Sequence, residues 1–151
     1  MIEVRRIGED DWVQWRAMRL AALATDPDAF GSTLAEWSGP NDLEERWRAR
    51  LAASPFTALL DVDGRTAGMV AAYRPEGAVE VVSLWVHPAF RGLGVGAAAL
   101  GAVIAFADGE DVLLSVRAAN THAIRLYERC GFVDEGVSPD DPAERRMRRP
   151  G

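Results

Sequence analysis

The segment Arg91-Gly92-Leu93-Gly94-Val95-Gly96 holds residue types that can bind an anion. Its glycines let the backbone approach a ligand closely. The start of a helix presents free N–H groups, and Arg91 adds a fixed charge with a fork of donors. The stretch before it is strand-like and the stretch after it is rich in alanine, so strand, glycine loop and helix together make a phosphate site. A bound pyrophosphate is the natural ligand. A Walker-type loop fails here, because Ala97 and Ala98 stand where Lys and Ser/Thr are needed. The pattern Gly92-x-Gly94-x-x-Ala97 formally fits the permissive dinucleotide fingerprint. However, His87-Pro88-Ala89-Phe90-Arg91 separates it from its strand, and that strand closes a meander rather than opening a βαβ array. A loop that serves only a tight turn is a third reading.

The flanks narrow the choice. The run Leu84-Trp85-Val86-His87-Pro88-Ala89-Phe90 leads into the glycine loop, and Asn120-Thr121-His122-Ala123-Ile124-Arg125-Leu126-Tyr127-Glu128-Arg129-Cys130-Gly131-Phe132 follows downstream, with one strand between them. The first run resembles motif A of the GNAT acetyltransferases, whose core (Q/R)-x-x-G-x-(G/A) is matched by Arg91, Gly94 and Gly96. The second resembles that family's N-x-x-A-x-x-L-Y-x-x-x-G-F signature. Arg19-Leu20-x-Ala22-Leu23 and Asp26-Pro27-x-Ala29-Phe30-Gly31 are also similar to members of the family.

The resemblance implies an N-acetyltransferase that uses acetyl-CoA (coenzyme A) as cosubstrate, needs no metal, and acetylates a primary amine of a small molecule or a peptide by direct attack in a ternary complex. The strand over residues 79–86 would splay from the strand over 111–117, and the pantetheine arm would pair with backbone groups of Leu84, Trp85 and Val86. The pyrophosphate would rest on Arg91, Gly92, Leu93, Gly94, Val95 and Gly96, and Asn120 would help hold the arm. Tyr127 occupies the family's general-acid position beside the cofactor, and a core tyrosine is its alternative. Glu80 matches where several branches place a catalytic glutamate, acting directly or through water; the alternative is a solvated glutamate at a sheet edge. The backbone N–H of Val86 would polarise the thioester carbonyl. Ser115 stands where the branch that acetylates ribosomal-protein N-termini carries a glutamate, which argues against that branch. His87, at a His-Pro strand exit, reads as a candidate base or as a surface-exposed residue, and His122, in a first helical turn, as structural or solvent-facing. A catalytically silent acyl-CoA-binding sensor or interaction module on the same fold is the competing function.

Periodicity supplies the elements that must position these residues. A strand over 2–7 precedes a helix from Asp10 to about residue 24, and a second helix follows over 43–53. Strands over 56–61, 66–74 and 79–86 form an antiparallel meander, with Asp63-Gly64 as a hairpin signal. A helix over 95–107, a strand over 111–117 and a helix from Asn120 to Cys130 follow. Residues 132–137 and 143–149 offer terminal strands, although the Arg-rich second one could instead be a solvated tail. This order implies a mixed sheet with a parallel portion, and the family resemblance implies a fold that is α/β of the α+β type, a single GNAT-like domain over residues 1–151. The expected sheet is mixed, of about six or seven strands, with an antiparallel meander followed by a parallel pair that the resemblance implies is splayed, flanked by about four helices.

Composition removes other functions. The formal net charge is −6, which disfavours nucleic acid as a partner. All 17 basic residues are Arg, so lysine Schiff-base chemistry is absent. One cysteine and two histidines give no metal-ligand pattern and fit a reducing compartment. No stretch is long and apolar enough to span a membrane, so a cytoplasmic location is expected. Trp12, Trp15, Trp37 and Trp47, together with Glu9, Asp10, Asp11, Glu36, Glu44 and Glu45, sit in the N-terminal region where acceptor pockets form in such folds. They read either as a rim for a cationic amine or as core residues and solvated faces. Exposed sheet edges make a second copy of the chain a candidate partner.

Overall fold

Asp63 and Gly64 both adopt positive φ, 50° and 82°, as a two-residue type I′ hairpin requires. They join β2 (Phe56–Val62) to β3 (Arg65–Tyr73), whose register pairs Val62 with Arg65. The computed structural model describes all 151 residues. β1 (Ile2–Arg6) pairs with β2, and β4 (Ala78–Val86) pairs with β3, all antiparallel. The chain then crosses over through α4 (Val95–Ala107) to β5 (Asp111–Arg117), which runs parallel to β4. After α5 (Thr121–Arg129), β6 (Val133–Val137) and β7 (Glu144–Arg149) complete one seven-stranded sheet of order β1-β2-β3-β4-β5-β7-β6.

Two apolar layers cover the sheet. α4 presents Val95, Ala99, Leu100, Val103 and Ala107 on one face, at helical spacing, against Val70, Val79, Val112, Leu114 and Met147. On the other side, Trp15, Met18 and Ala22 of α1 (Trp12–Thr25) and Trp47 and Leu51 of α3 (Glu44–Ala53) pack on Leu59, Met69, Ala71 and Trp85. α1 starts at Trp12 rather than beside Asp10. A 3-10 turn over Glu9–Asp11 precedes it, and Asp11 Oδ2 accepts the Gly8 N–H. A fifth helix, the single-turn α2 (Leu34–Trp37), was invisible to periodicity because four residues cannot show a period; Thr33 caps it.

The Arg-rich C-terminal segment is a strand. β7 pairs with β5 from Val112↔Arg149 to Arg117↔Glu144 and with β6 on its other side. Met147 turns into the core at 0% exposure, while the flanking arginines meet acids: Arg145 with Asp134, and Arg148 with Asp111 and Glu135. These pairs are solvent-accessible and screened by water, so they add little. Backbone pairing on both edges and the burial of Met147 therefore hold the strand.

Candidate active site

The β4–β5 ladder begins at Ala78↔Asp111 and ends at Glu80↔Leu113. Beyond it the strands separate, and a local irregularity in β4 explains why. Between the pairs Met69↔Trp85 and Ala71↔Val82, β4 contains one residue more than β3, and Ser83 sits at φ 55°. Such a bulge increases the local twist and turns a strand away from its partner. The resulting cleft, about 110 Å³, is walled by residues 81–84 of β4 and 114–117 of β5, with Phe30, Asn120 and Tyr127 at its margins. A wider opening of about 640 Å³ continues from it between residues 25–29 and Asn120.

The glycine loop lies at the end of β4. Gly92 and Gly94 take φ of 80° and 89°, a region that penalises any Cβ, and Gly94 is the N-cap of α4. None of the N–H groups of residues 92–97 donates to a backbone or side-chain acceptor of the protein. They form an unneutralised row of donors at a helix N-terminus, where the helix dipole also favours an anion. Val95 is buried and offers only its backbone. Gly96 allows α4 to approach α5, since a Cβ there would lie 2.9 Å from Leu126 Cδ2.

Arg91 is held in place. Its Nε donates to Val86 O at 3.0 Å and its Nη2 to Asp26 Oδ2 at 2.8 Å. The same carboxylate oxygen accepts from Trp85 Nε1 at 2.7 Å. The Trp85 and Arg91 hydrogen bonds hold the Asp26 carboxyl below the usual carboxylate range, against burial, which raises it. Asp26 thereby ties the loop after α1 to both β4 and the glycine loop. In β4, the His87 N–H donates to Ala67 O of β3 at 2.8 Å. By strand alternation, the Val86 N–H and C=O point away from β3, toward the open side. The Trp85 side chain is buried in the α1–α3 layer, and Leu84 lines the cleft.

Tyr127 and Asn120 share the cleft wall. Burial, with a smaller contribution from Cys130, pushes the Tyr127 phenol up to about 12. Its ring meets Phe132 edge-on at 6.0 Å. Asn120 caps α5 through Oδ1, which accepts the Ala123 N–H at 3.1 Å and leaves the amide NH₂ uncommitted. Glu80 lies within a central strand, not at a sheet edge. It is half-buried and accepts from Arg146 Nη2 at 2.9 Å, while Arg146 Nη1 donates to Ser115 Oγ. His87 uses Nδ1 to accept the Ala89 N–H and so caps the turn at Pro88–Phe90; His122 is exposed.

The sequence matches the Acetyltransferase (GNAT) family over residues 12–132. The chain belongs to the GNAT acetyltransferase family. It is 37% identical over 133 residues to the mycothiol acetyltransferase of Clavibacter sepedonicus, covering 85% of this chain and 41% of that protein. The chain thus spans about two fifths of the length of that relative. The fold matches the PaiA N-acetyltransferase of Thermoplasma acidophilum in complex with coenzyme A, at TM-score 0.78 and 15% identity, covering 100% and 99% of the two chains. It also matches an acetyltransferase of Salmonella typhimurium with its cofactor acetyl-CoA, at TM-score 0.69 and 19% identity, covering 99% and 94%.

In this GNAT fold Leu84, Asn120 and Tyr127 line the cleft, and Val86 and the 91–96 loop follow at the end of β4 beyond that lining. Glu80 lies on the face of β4 opposite Val79 and Val81, the face it shares with Val82 of the cleft wall. Of the tryptophans that read either as an acceptor rim or as core, Trp15 at 1% exposure and Trp47 at 0% are core. The acids beside them are largely engaged, Asp10 and Glu44 by Arg48 and Asp11 by Gly8. Sequence reasoning gave no role to Arg146 and Arg50, and marked Arg19 and Asp26 only as parts of segments similar to the family. Nothing local marks an arginine whose partner is remote in sequence, although the Asp26-Pro27 turn was visible.

Proposed function

We propose that this chain is an acyl-coenzyme A-dependent N-acyltransferase that moves an acetyl group from acetyl-CoA to a primary amine of a small molecule or peptide, with residues 1–151 acting as one domain. The row of unpartnered N–H groups over residues 92–97, at the end of a strand that has separated from its parallel neighbour, carries this reading. A pyrophosphate would satisfy those donors, and an extended pantetheine arm would pair with the β4 edge beyond Glu80. The donor set fits the cosubstrate, and family membership and the neighbours' ligands support it. The bound thioester would supply an electrophilic carbonyl and a thiolate leaving group.

The residues of the chain divide the remaining work. The Val86 N–H, turned away from β3, donates to the carbonyl oxygen, where negative charge develops. Tyr127 donates from its phenol to the departing sulfur. An amine near pKa 10 must lose a proton before it attacks. Glu80 takes that proton through water, with Arg146 fixing its carboxylate. Asn120 holds the arm with its free amide.

Calorimetry with acetyl-CoA and a thiol-release assay across an amine panel test the proposal. Tight binding together with release on at least one amine is expected. Binding without release on any amine would instead favour the silent sensor, and absence of binding would remove the reading altogether.

A further inference from the structure

Two arginines behind the cleft have no carboxylate partner. Arg19 of α1 is 5% exposed, and its Nη1 is buried without any hydrogen-bond partner. Its guanidinium lies 4.8 Å from the centroid of the Phe30 ring. Arg50 of α3 has one hydrogen bond, 3.2 Å to Ser83 Oγ, and stands 5.4 Å from the Tyr73 ring centroid. Other arginines of the same region are engaged: Arg16 by Asp42, Arg48 by Asp10 and Glu44, and Arg46 by the carbonyls of Glu36 and Asn41.

A buried charge without a partner is costly, and proteins ordinarily pair it or exclude it. Burial, followed by the neighbouring charge of Arg50, lowers Arg19 to about 10, and Glu36 opposes this only in part. Burial also lowers Arg50. The two guanidiniums thus lie close enough to repel each other, and neither is ion-paired to a carboxylate. Phe30 and Ser83, which they touch, both line the cleft between β4 and β5. Arg50 is the more open of the two, and its hydrogen-bond partner Ser83 belongs to the cleft wall.

We propose that Arg19 and Arg50 form an anion subsite for the acceptor, so that the amine acetylated here also carries a carboxylate, as an amino acid or a short peptide does. The arginine fork matches a carboxylate in shape, and a second buried charge strengthens its hold. This inference rests on the acyltransferase reading above and names its substrate class. It also differs from the acidic-rim reading, since the charge left without an ion-pair partner near the cleft wall is positive.

The test compares the twenty amino acids, their amides, a dipeptide series and O-phosphoethanolamine, on wild type, Arg19→Met and Arg50→Gln. Thiol release gives kcat/KM, and calorimetry of the same compounds gives binding without turnover. Acids are expected to exceed the matching amides by at least about 10-fold, with the dipeptides showing whether a free amino acid or a peptide fits. Each substitution should reduce that ratio by about 10- to 100-fold, the range for losing a charged hydrogen bond. Arg19→Met should also raise Tm, because it removes an unpaired buried charge. Amides as good as acids, O-phosphoethanolamine as the best acceptor, or a ratio unchanged in both variants would overturn the subsite. Acid-selective binding without acyl transfer would overturn only the acyltransferase reading, whereas transfer with no acid preference would overturn only the subsite.

Discussion

A phenol held at about 12 remains protonated across the physiological range, so Tyr127 is a standing donor. Complete transfer of its proton to a thiolate of pKa about 8.5 would be uphill by about 5 kcal/mol. In the proposed mechanism that magnitude makes Tyr127 a hydrogen-bond donor to the leaving sulfur rather than an early proton donor. Tyr127→Phe should lower kcat by about 10²-fold while leaving the Kd for acetyl-CoA nearly unchanged, as steady-state kinetics and calorimetry would show. An unchanged kcat removes Tyr127 from the mechanism. The same reasoning predicts no loss of activity from phenol ionisation until the pH approaches the folded value.

The glycine loop and the last strand are held by different forces, and substitutions separate them. Gly94 caps α4 at φ 89°, where a β-branched residue is strained by about 1–3 kcal/mol. Gly94→Val should weaken acetyl-CoA binding by at least about 10-fold in calorimetry by displacing the donor row, whereas retained affinity would separate that row from cofactor binding. Met147 is the residue through which β7 reaches the core. Met147→Ala should cost about 2–5 kcal/mol in denaturant unfolding, with little effect on affinity per folded molecule. A cost near zero would transfer the stability of β7 to its surface arginines.

For the whole molecule, several carboxylates are held below their usual range by hydrogen bonds. Arg5 holds Asp61, Arg145 holds Asp134, and the Gly151 N–H with Arg148 holds Asp111; Asp42, held by Arg16 and Trp47, is lowered to about 2. Because these groups bind protons more weakly folded than unfolded, their contribution is present above the unfolded value of about 3.9 and fades as pH falls through the folded ones. Stability followed by circular dichroism should therefore be level from neutral pH to about 4.5 and drop between about 4 and 2. A flat profile through pH 2 contradicts these pairings. No helix is long and apolar enough to cross a membrane.

The local signals in the sequence determined most of the frame. The Asp63-Gly64 turn set the register of β2 and β3, and apolar spacing placed α4. The motifs located the glycine loop at the start of α4 and Asn120 at the start of α5, because each is a short-range pattern of backbone freedom or side-chain period. Strand pairing of the Arg-rich C-terminus was decided only in three dimensions, since β5 and β6 supply hydrogen bonds that no propensity encodes. The separation of β4 from β5 likewise depends on a one-residue bulge at Ser83, which has no signature in a serine. Asp26 bridging Trp85 and Arg91, and Arg19 left with Arg50 but no acid, are products of contacts across as many as 65 residues of chain. Charge pairing over such distances is settled by the tertiary structure, because only the packed sheet fixes which groups lose their water.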